Sequence, residues 1–138
     1  MATKVKLSVT LNPVGAPWVR LSAHTYQTYL QLQQTTTFDI EFDTDASQHE
    51  LVIQHTDKHP NDPTTAVVIQ SIDFFGISSP RFVWSGVYYP EYPDHYPDKI
   101  SPLPGHNYLG WNGLYRLQFD VPVFTWIHKQ LDFGWLYQ

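Results

Sequence analysis

The chain has 138 residues, long enough to bury roughly two-thirds of its unfolded surface as one domain. It has no cysteine, so it carries neither a disulfide framework nor a cysteine-ligated zinc or iron–sulfur centre. Eight basic residues against 13 acidic ones leave a formal charge of −5 with no Lys/Arg cluster, which speaks against a nucleic-acid groove.

The start, Met1 to Lys6, enters an alternating pattern directly, without the apolar run of a signal peptide. No stretch approaches the ~20 apolar residues of a membrane span. The expectation is a soluble protein with no secretory address. Aromatic residues make up 16% of the chain and prolines number 11. Aromatics favour strands, and proline is kept out of helix interiors and central strands. The composition therefore points to β-sheet with long ordered loops.

In chain order, Val5, Leu7, Val9 and Leu11 alternate with Lys4, Lys6, Ser8 and Thr10, the period of a half-buried strand. Residues 12–17, with Pro13, Gly15 and Pro17, read as a turn. A strand follows near 25–33, with Tyr26, Thr28, Leu30 and Leu32 on one face. Phe38, Ile40 and Phe42 alternate with Asp39, Glu41 and Asp43, and Leu51 and Ile53 continue the pattern beyond a loop. Residues 37–54 thus read as a hairpin. Residues 55–63 form a polar loop with two prolines, and 65–74 a largely apolar central strand. Residues 80–104 hold six of the 11 prolines, interleaved with Trp84, Tyr88, Tyr89, Tyr92 and Tyr96. This segment reads as a long ordered loop, reaching to about 107, of the kind that carries function. The Asn112-Gly113 turn leads into a strand with Tyr115, Leu117 and Phe119 on one face. Val123, Ile127 and Leu131 have the spacing of a short terminal helix.

Two groups of residues are candidates for a site. Asp57, Asn61 and Asp62 offer the hard oxygen ligands that calcium prefers, in a proline-stiffened loop. Asp43 and Asp45 sit in the preceding loop. His55 and His59 would suit zinc, but no HExxH or second ligand cluster accompanies them. Ordinary turn chemistry of Asp and Asn accounts for the same residues. The second group is aromatic: Trp84, Tyr88, Tyr89 and Tyr92, together with Trp111. Sugar rings present C–H faces that stack on such side chains, and Asp94, His95, Asp98 or Asn107 could supply hydrogen bonds. The same rings could equally roof the core or grip a neighbouring protein. Phe133, Trp135 and Tyr137 at the end of the chain would be costly to leave in water and favour folding back or docking. No carboxylate pair, GxSxG elbow or phosphate-binding glycine loop signals catalysis.

Three stretches taken together, His49–His55, Val68–Ile77 and Asn107–Phe119 with its Leu-Gly-Trp-Asn-Gly turn, resemble small jelly-roll-like domains of tailed-phage structural proteins. These domains have carbohydrate-binding-module character and are known notably from phages of marine cyanobacteria. The resemblance implies a virion component, such as a tail, fibre or head-decoration protein, assembled in the host cytoplasm. Its partners would be host glycans or other virion proteins, including copies of itself. The reading is an all-β, antiparallel, jelly-roll-like sandwich of seven to nine strands over residues 1–138, with a short C-terminal helix. It is read as non-catalytic and carbohydrate-binding, with calcium as the candidate metal. The alternative is an architectural subunit with no glycan ligand.

Overall fold

The computed structural model describes residues 3–58, 64–92 and 99–130. Its elements are β1 (Thr3–Val14), β2 (Trp18–Ala23), β3 (Tyr26–Gln31), β4 (Thr36–Thr44), β5 (Gln48–Thr56), β6 (Ala66–Phe74) and β7 (Ile77–Ser78), then α1 (Pro80–Trp84), β8 (Val87–Pro90), β9 (Leu103–Pro104), β10 (Tyr108–Leu109), β11 (Gly113–Asp120) and α2 (Val123–Gln130). One sheet runs β10-β6-β1-β4, with β7 also on β6; the other runs β3-β2-β5-β11-β8-β9. All described pairings are antiparallel. The β-sandwich and the C-terminal helix read from the sequence are both present.

Strict alternation builds the first sheet. Val5, Leu7, Val9 and Leu11 of β1 and Phe38, Ile40 and Phe42 of β4 turn inward, and their polar neighbours turn out. In the second sheet Val19, Leu21, Leu51, Ile53, Tyr115, Leu117 and Phe119 face the same core. Between β1 and β6 the register slips after Thr10, so Gln70 has no opposite residue, a β-bulge. One end of the core is plugged by both helices: Phe74 meets Phe82 at 5.3 Å, Phe119 at 5.1 Å and Trp126 at 5.1 Å, all inclined steeply. Such edge-to-face aromatic contacts each add about 0.5–1.5 kcal/mol beyond area burial.

Four expectations are corrected. Residues 37–54 do not form a hairpin, because β4 pairs with β1 in one sheet and β5 pairs with β2 and β11 in the other. Crossing between sheets lets Phe38, Ile40 and Phe42 meet Leu51 and Ile53 from opposite sides of the core. The supposed turn at 12–17 is shorter, since β1 continues to Val14. Its partner β4 stops at Leu11, and the open side beyond that point tolerates Pro13. Segment 80–107 is not one loop. Pro80 takes the first helical position of α1, where its missing N–H costs nothing, and Ser79 caps the helix by accepting from the Arg81 amide. Pro90 closes β8 beyond the reach of β9, which pairs only with Val87 and Tyr88. Finally, the described residues form 11 strands, more than the seven to nine expected, because three pairings are only two residues long.

Tyr115 ties α1 to the second sheet. Its ring is fully buried and its hydroxyl donates to the Val83 carbonyl at 2.5 Å. Gly86 lies flat against that ring, so an added Cβ would collide with it. Gly86→Ala should therefore lower stability by about 1–3 kcal/mol through overpacking. Tyr115→Phe should cost about 0.5–1.5 kcal/mol by removing the hydroxyl's bond to the Val83 carbonyl, which keeps the Gly86 amide at 3.3 Å as its other donor. Thermal and urea denaturation followed by circular dichroism check both, and Gly76→Ala is not an equivalent control because Gly76 has φ +80°.

Candidate functional site

β8 alternates like the other strands, and this decides which of the aromatic candidates face solvent. Tyr88 points inward and is 1% exposed. Its hydroxyl donates to the Trp111 carbonyl and accepts from the Trp111 amide at 3.0 Å. Burial pushes this phenol well above its ordinary pKa. A ring so enclosed cannot stack on a sugar, and Tyr88 leaves the candidate set. Tyr89, the next residue, therefore points outward and is 41% exposed.

The remaining candidates scatter. Trp84 stands 61% exposed at the end of α1. Tyr92 is half-buried, with its hydroxyl donating to the Ile100 carbonyl at 2.7 Å. The Trp111 ring lies 4.3 Å beneath the ammonium of Lys58, a cation–π contact that covers one of its faces. Lys58 is itself buried, and its ammonium donates to the carbonyls of Thr65 at 2.7 Å and Gly110 at 2.5 Å. Asn112 bonds the Lys58 backbone with both ends of its amide, at 2.9 and 3.0 Å. These contacts pin the Leu-Gly-Trp-Asn-Gly turn to the end of β5. Trp111 thus serves as a clamp as much as a surface ring.

Tyr89 does have a setting of binding character. It lies on the outer face of the second sheet, beside a shallow hollow of about 210 Å³ lined also by Glu50, Ser85, Val87, Arg116 and Gln118. Arg116 and Glu50 pair at 3.0 Å across β11 and β5, and Gln118 donates to Glu50 at 3.4 Å. Glu50 and Gln118 also line a neighbouring hollow of about 420 Å³ with His24, Gln48 and His49. A third hollow, about 310 Å³, lies against Arg20, Gln27, Thr28 and Tyr29. The face is a broad polar strip with aromatic islands, suited to holding a flat, hydroxylated ligand along its surface.

Sequence reasoning missed the far end of this face. Trp18 and Tyr29 stack at 5.3 Å and 23°, and Arg20 lies 5.1 Å from the Tyr29 ring centre. The signal was present: with Tyr26, Thr28 and Leu30 assigned to one face of β3, Tyr29 must occupy the other. Of the calcium candidates, Asn61 and Asp62 lie outside the described residues. Asp57 has the left-handed backbone, φ +61°, and its carboxylate accepts from the Tyr29 hydroxyl. That bond raises the Tyr29 pKa. Among the described residues no group of three or more His, Cys, Asp or Glu side chains gathers to hold a metal ion. Asp94, His95, Asp98, Phe133, Trp135 and Tyr137 also lie outside the described residues.

No family model matches the chain, and no curated protein matches it. Among solved structures, vCBM60 in complex with galactobiose is similar, with 14% identity over 81% of this chain and 96% of that one and a TM-score of 0.54. The selenomethionine form of vCBM60, from work presenting circular permutation as a link between two families of calcium-dependent carbohydrate binding modules, is also similar. It is 15% identical over 83% of this chain and 90% of that one, with a TM-score of 0.55. The chain therefore has the β-sandwich fold seen in a carbohydrate binding module.

One histidine at the edge of the face makes a pH prediction. His49 packs against Phe42 at 5.1 Å and His24 at 5.0 Å, and its Nε2 is 2.6 Å from the Thr44 hydroxyl. Burial, and secondarily the His24 charge, hold its pKa below the ordinary 6.5. The unfolded chain binds this proton more readily than the folded one, so stability should fall as pH drops below about 6.5 and level off below the folded value. Melting temperatures at pH 7.5 and 5.5 for the wild type and His49→Gln check this, with a smaller drop expected in the variant.

Proposed function

We propose that this chain is a non-catalytic carbohydrate-binding module that holds its glycan against the outer face of the second sheet, at Tyr89. The observation that carries the reading is the placement of an exposed ring beside a hollow lined by a carboxylate, a guanidinium and an amide. An apolar ring face and polar edges are what a pyranose needs on its two kinds of surface. Val87, which lines that hollow with Tyr89, extends the apolar part. The likeness to vCBM60 supports the same class of ligand.

Calcium is proposed for segment 57–62 on the donor chemistry of Asp57, Asn61 and Asp62. Asp57 would contribute a carboxylate there, and the ion would supply a positive centre for sugar hydroxyls. The biological setting we propose is a virion structural or adhesion component, with host glycan and neighbouring virion proteins as partners. This rests on the phage-like stretches, which correspond to β5, to β6–β7 and to β10–β11, the frame of the sandwich. A second reading, an architectural subunit, is favoured by Phe124 on α2. It is exposed, packs at a tilt against Phe75 at 4.8 Å, and offers a contact for a second copy.

A glycan-array screen of the purified chain, with calcium and then with chelator, tests the proposal. Binding should appear, and Tyr89→Ala should weaken it at least 10-fold, about 1.4 kcal/mol, without changing the melting temperature. Loss on chelation would place calcium in the site, and indifference to chelator would remove it. No binding in either condition, with self-association abolished by Phe124→Ser, would replace the glycan reading by the architectural one.

A further inference from the structure

The outer face of the second sheet carries two aromatic stations, joined by an unbroken row in register. Tyr29 on β3 pairs with Arg20 on β2, Arg20 with Gln54 on β5, Gln54 with Leu114 on β11, and Leu114 with Tyr89 on β8. None of the five is buried. Four strand spacings of about 4.8 Å separate Tyr29 from Tyr89, roughly 19 Å. A single sugar or disaccharide reaches only one station, whereas a longer chain lying across the strands reaches both.

The Tyr29 end is built for the same chemistry as the Tyr89 end, with one difference. Trp18 is 37% exposed and Tyr29 47%, and they brace one another, so little side-chain freedom remains to be lost on binding. Beside them Arg20 rests on the Tyr29 ring and makes no ion pair with any described carboxylate. Arg116, at the Tyr89 end, is by contrast neutralised by Glu50. Asp57 faces the Tyr29 hydroxyl, which donates to it. Of the charged side chains on this face of the strands, Arg20 is thus the one with its donors open to an incoming anion, and a planar guanidinium matches a carboxylate with two parallel hydrogen bonds.

We infer that the ligand is a linear oligosaccharide of several units bearing carboxylates, laid across the strands from Tyr89 to the Trp18–Tyr29 pair, with one uronic acid carboxylate read by Arg20. This deepens the glycan reading and depends on it.

The test measures affinities of the full chain for oligogalacturonides and neutral galacto-oligosaccharides, each of two and six units. Hexamers should bind at least 10-fold tighter than dimers, and the acidic hexamer tighter than the neutral one, with the acidic preference shrinking as salt is raised. Trp18→Ala and Tyr29→Ala should each remove at least threefold of the length gain. Arg20→Gln should remove the acidic preference while leaving the neutral hexamer unchanged, and circular dichroism should show all three variants folded at the temperature of the binding assay. Equal affinity for dimers and hexamers, or a length gain that survives in Trp18→Ala and Tyr29→Ala, would overturn the inference. An acidic preference untouched by Arg20→Gln would overturn its charged part. If binding is lost in Tyr89→Ala yet indifferent to the other three variants, the inference alone falls. If no probe binds the wild type, the glycan reading falls with it.

Discussion

The hydroxyl of Tyr88 sits at the tip of a ring enclosed in the core, and a phenol taken out of water without partners would cost several kcal/mol. Its partners are the carbonyl and amide of Trp111, two residues before β11 begins. Satisfying that one group fixes β8 in register with β11, Tyr88 opposite Tyr115, and brings the Leu-Gly-Trp-Asn-Gly turn against the sheet. Gly113 completes the fit, since its φ of +152° and its contact with the Tyr89 carbonyl leave no room for a side chain. Once Tyr88 is inside, period-two geometry leaves Tyr89 no choice but to face out. The exposed ring of the proposed site is therefore a consequence of a buried one.

The same turn reaches in a second direction. Asn112 and Lys58 are joined backbone to side chain, and the Lys58 ammonium is held between two carbonyls and the Trp111 ring. A buried ammonium is tolerated only with such a set of partners. The turn thus locks the end of β5, from which Asp57 projects to the Tyr29 hydroxyl. Tyr88 bonds the Trp111 backbone, the Trp111 ring faces the Lys58 ammonium, and Asp57, the residue before Lys58, accepts from the Tyr29 hydroxyl, so the series links β8 to β3. The two aromatic stations are held by a common frame.

Much of that frame was legible in the sequence. β1, β4 and β11 follow from strict alternation, and α2 from the spacing of Val123 and Ile127. The Asn112-Gly113 turn was read correctly as the entry to β11. What failed were inferences that need a partner. Whether β4 and β5 pair or cross cannot be decided by alternation, because both arrangements bury the same residues. Proline density misled across 80–104: Pro80 starts a helix and Pro90 ends a strand, positions where a missing N–H is harmless, so counting prolines concealed their placement. Trp18–Ala23 went unread because Pro17 masked its start, and with it went Trp18, Arg20 and half of the proposed face.

The aromatic load then has two separate explanations. Phe74, Phe82, Phe119, Trp126, Tyr88 and Tyr115 fill a sandwich core whose helices cover only one end, and they would be needed in any domain of this build. Trp18, Tyr29, Trp84 and Tyr89 contribute little to that core, and each is at least a third exposed. Water contact of this size is a standing cost in apolar surface that packing does not offset. Three of the four, Trp18, Tyr29 and Tyr89, fall on the strands of one sheet, on one face and within a row or its immediate neighbour. The corresponding face of the other sheet carries Lys4, Lys6, Ser8, Thr10, Thr37, Asp39 and Glu41, with Ser8–Asp39 and Thr10–Thr37 hydrogen bonds and a Lys4–Glu41 ion pair; its long strands present no aromatic, and its exposed ring, Tyr108, sits on the two-residue β10. Two faces of one sandwich, built from strands of the same period, thus differ in kind. Folding demands only that an outer face be compatible with water, and the first sheet meets that demand with ordinary polar residues. The rings on the second are in excess of it, and that excess is the physical ground on which the proposed glycan site rests.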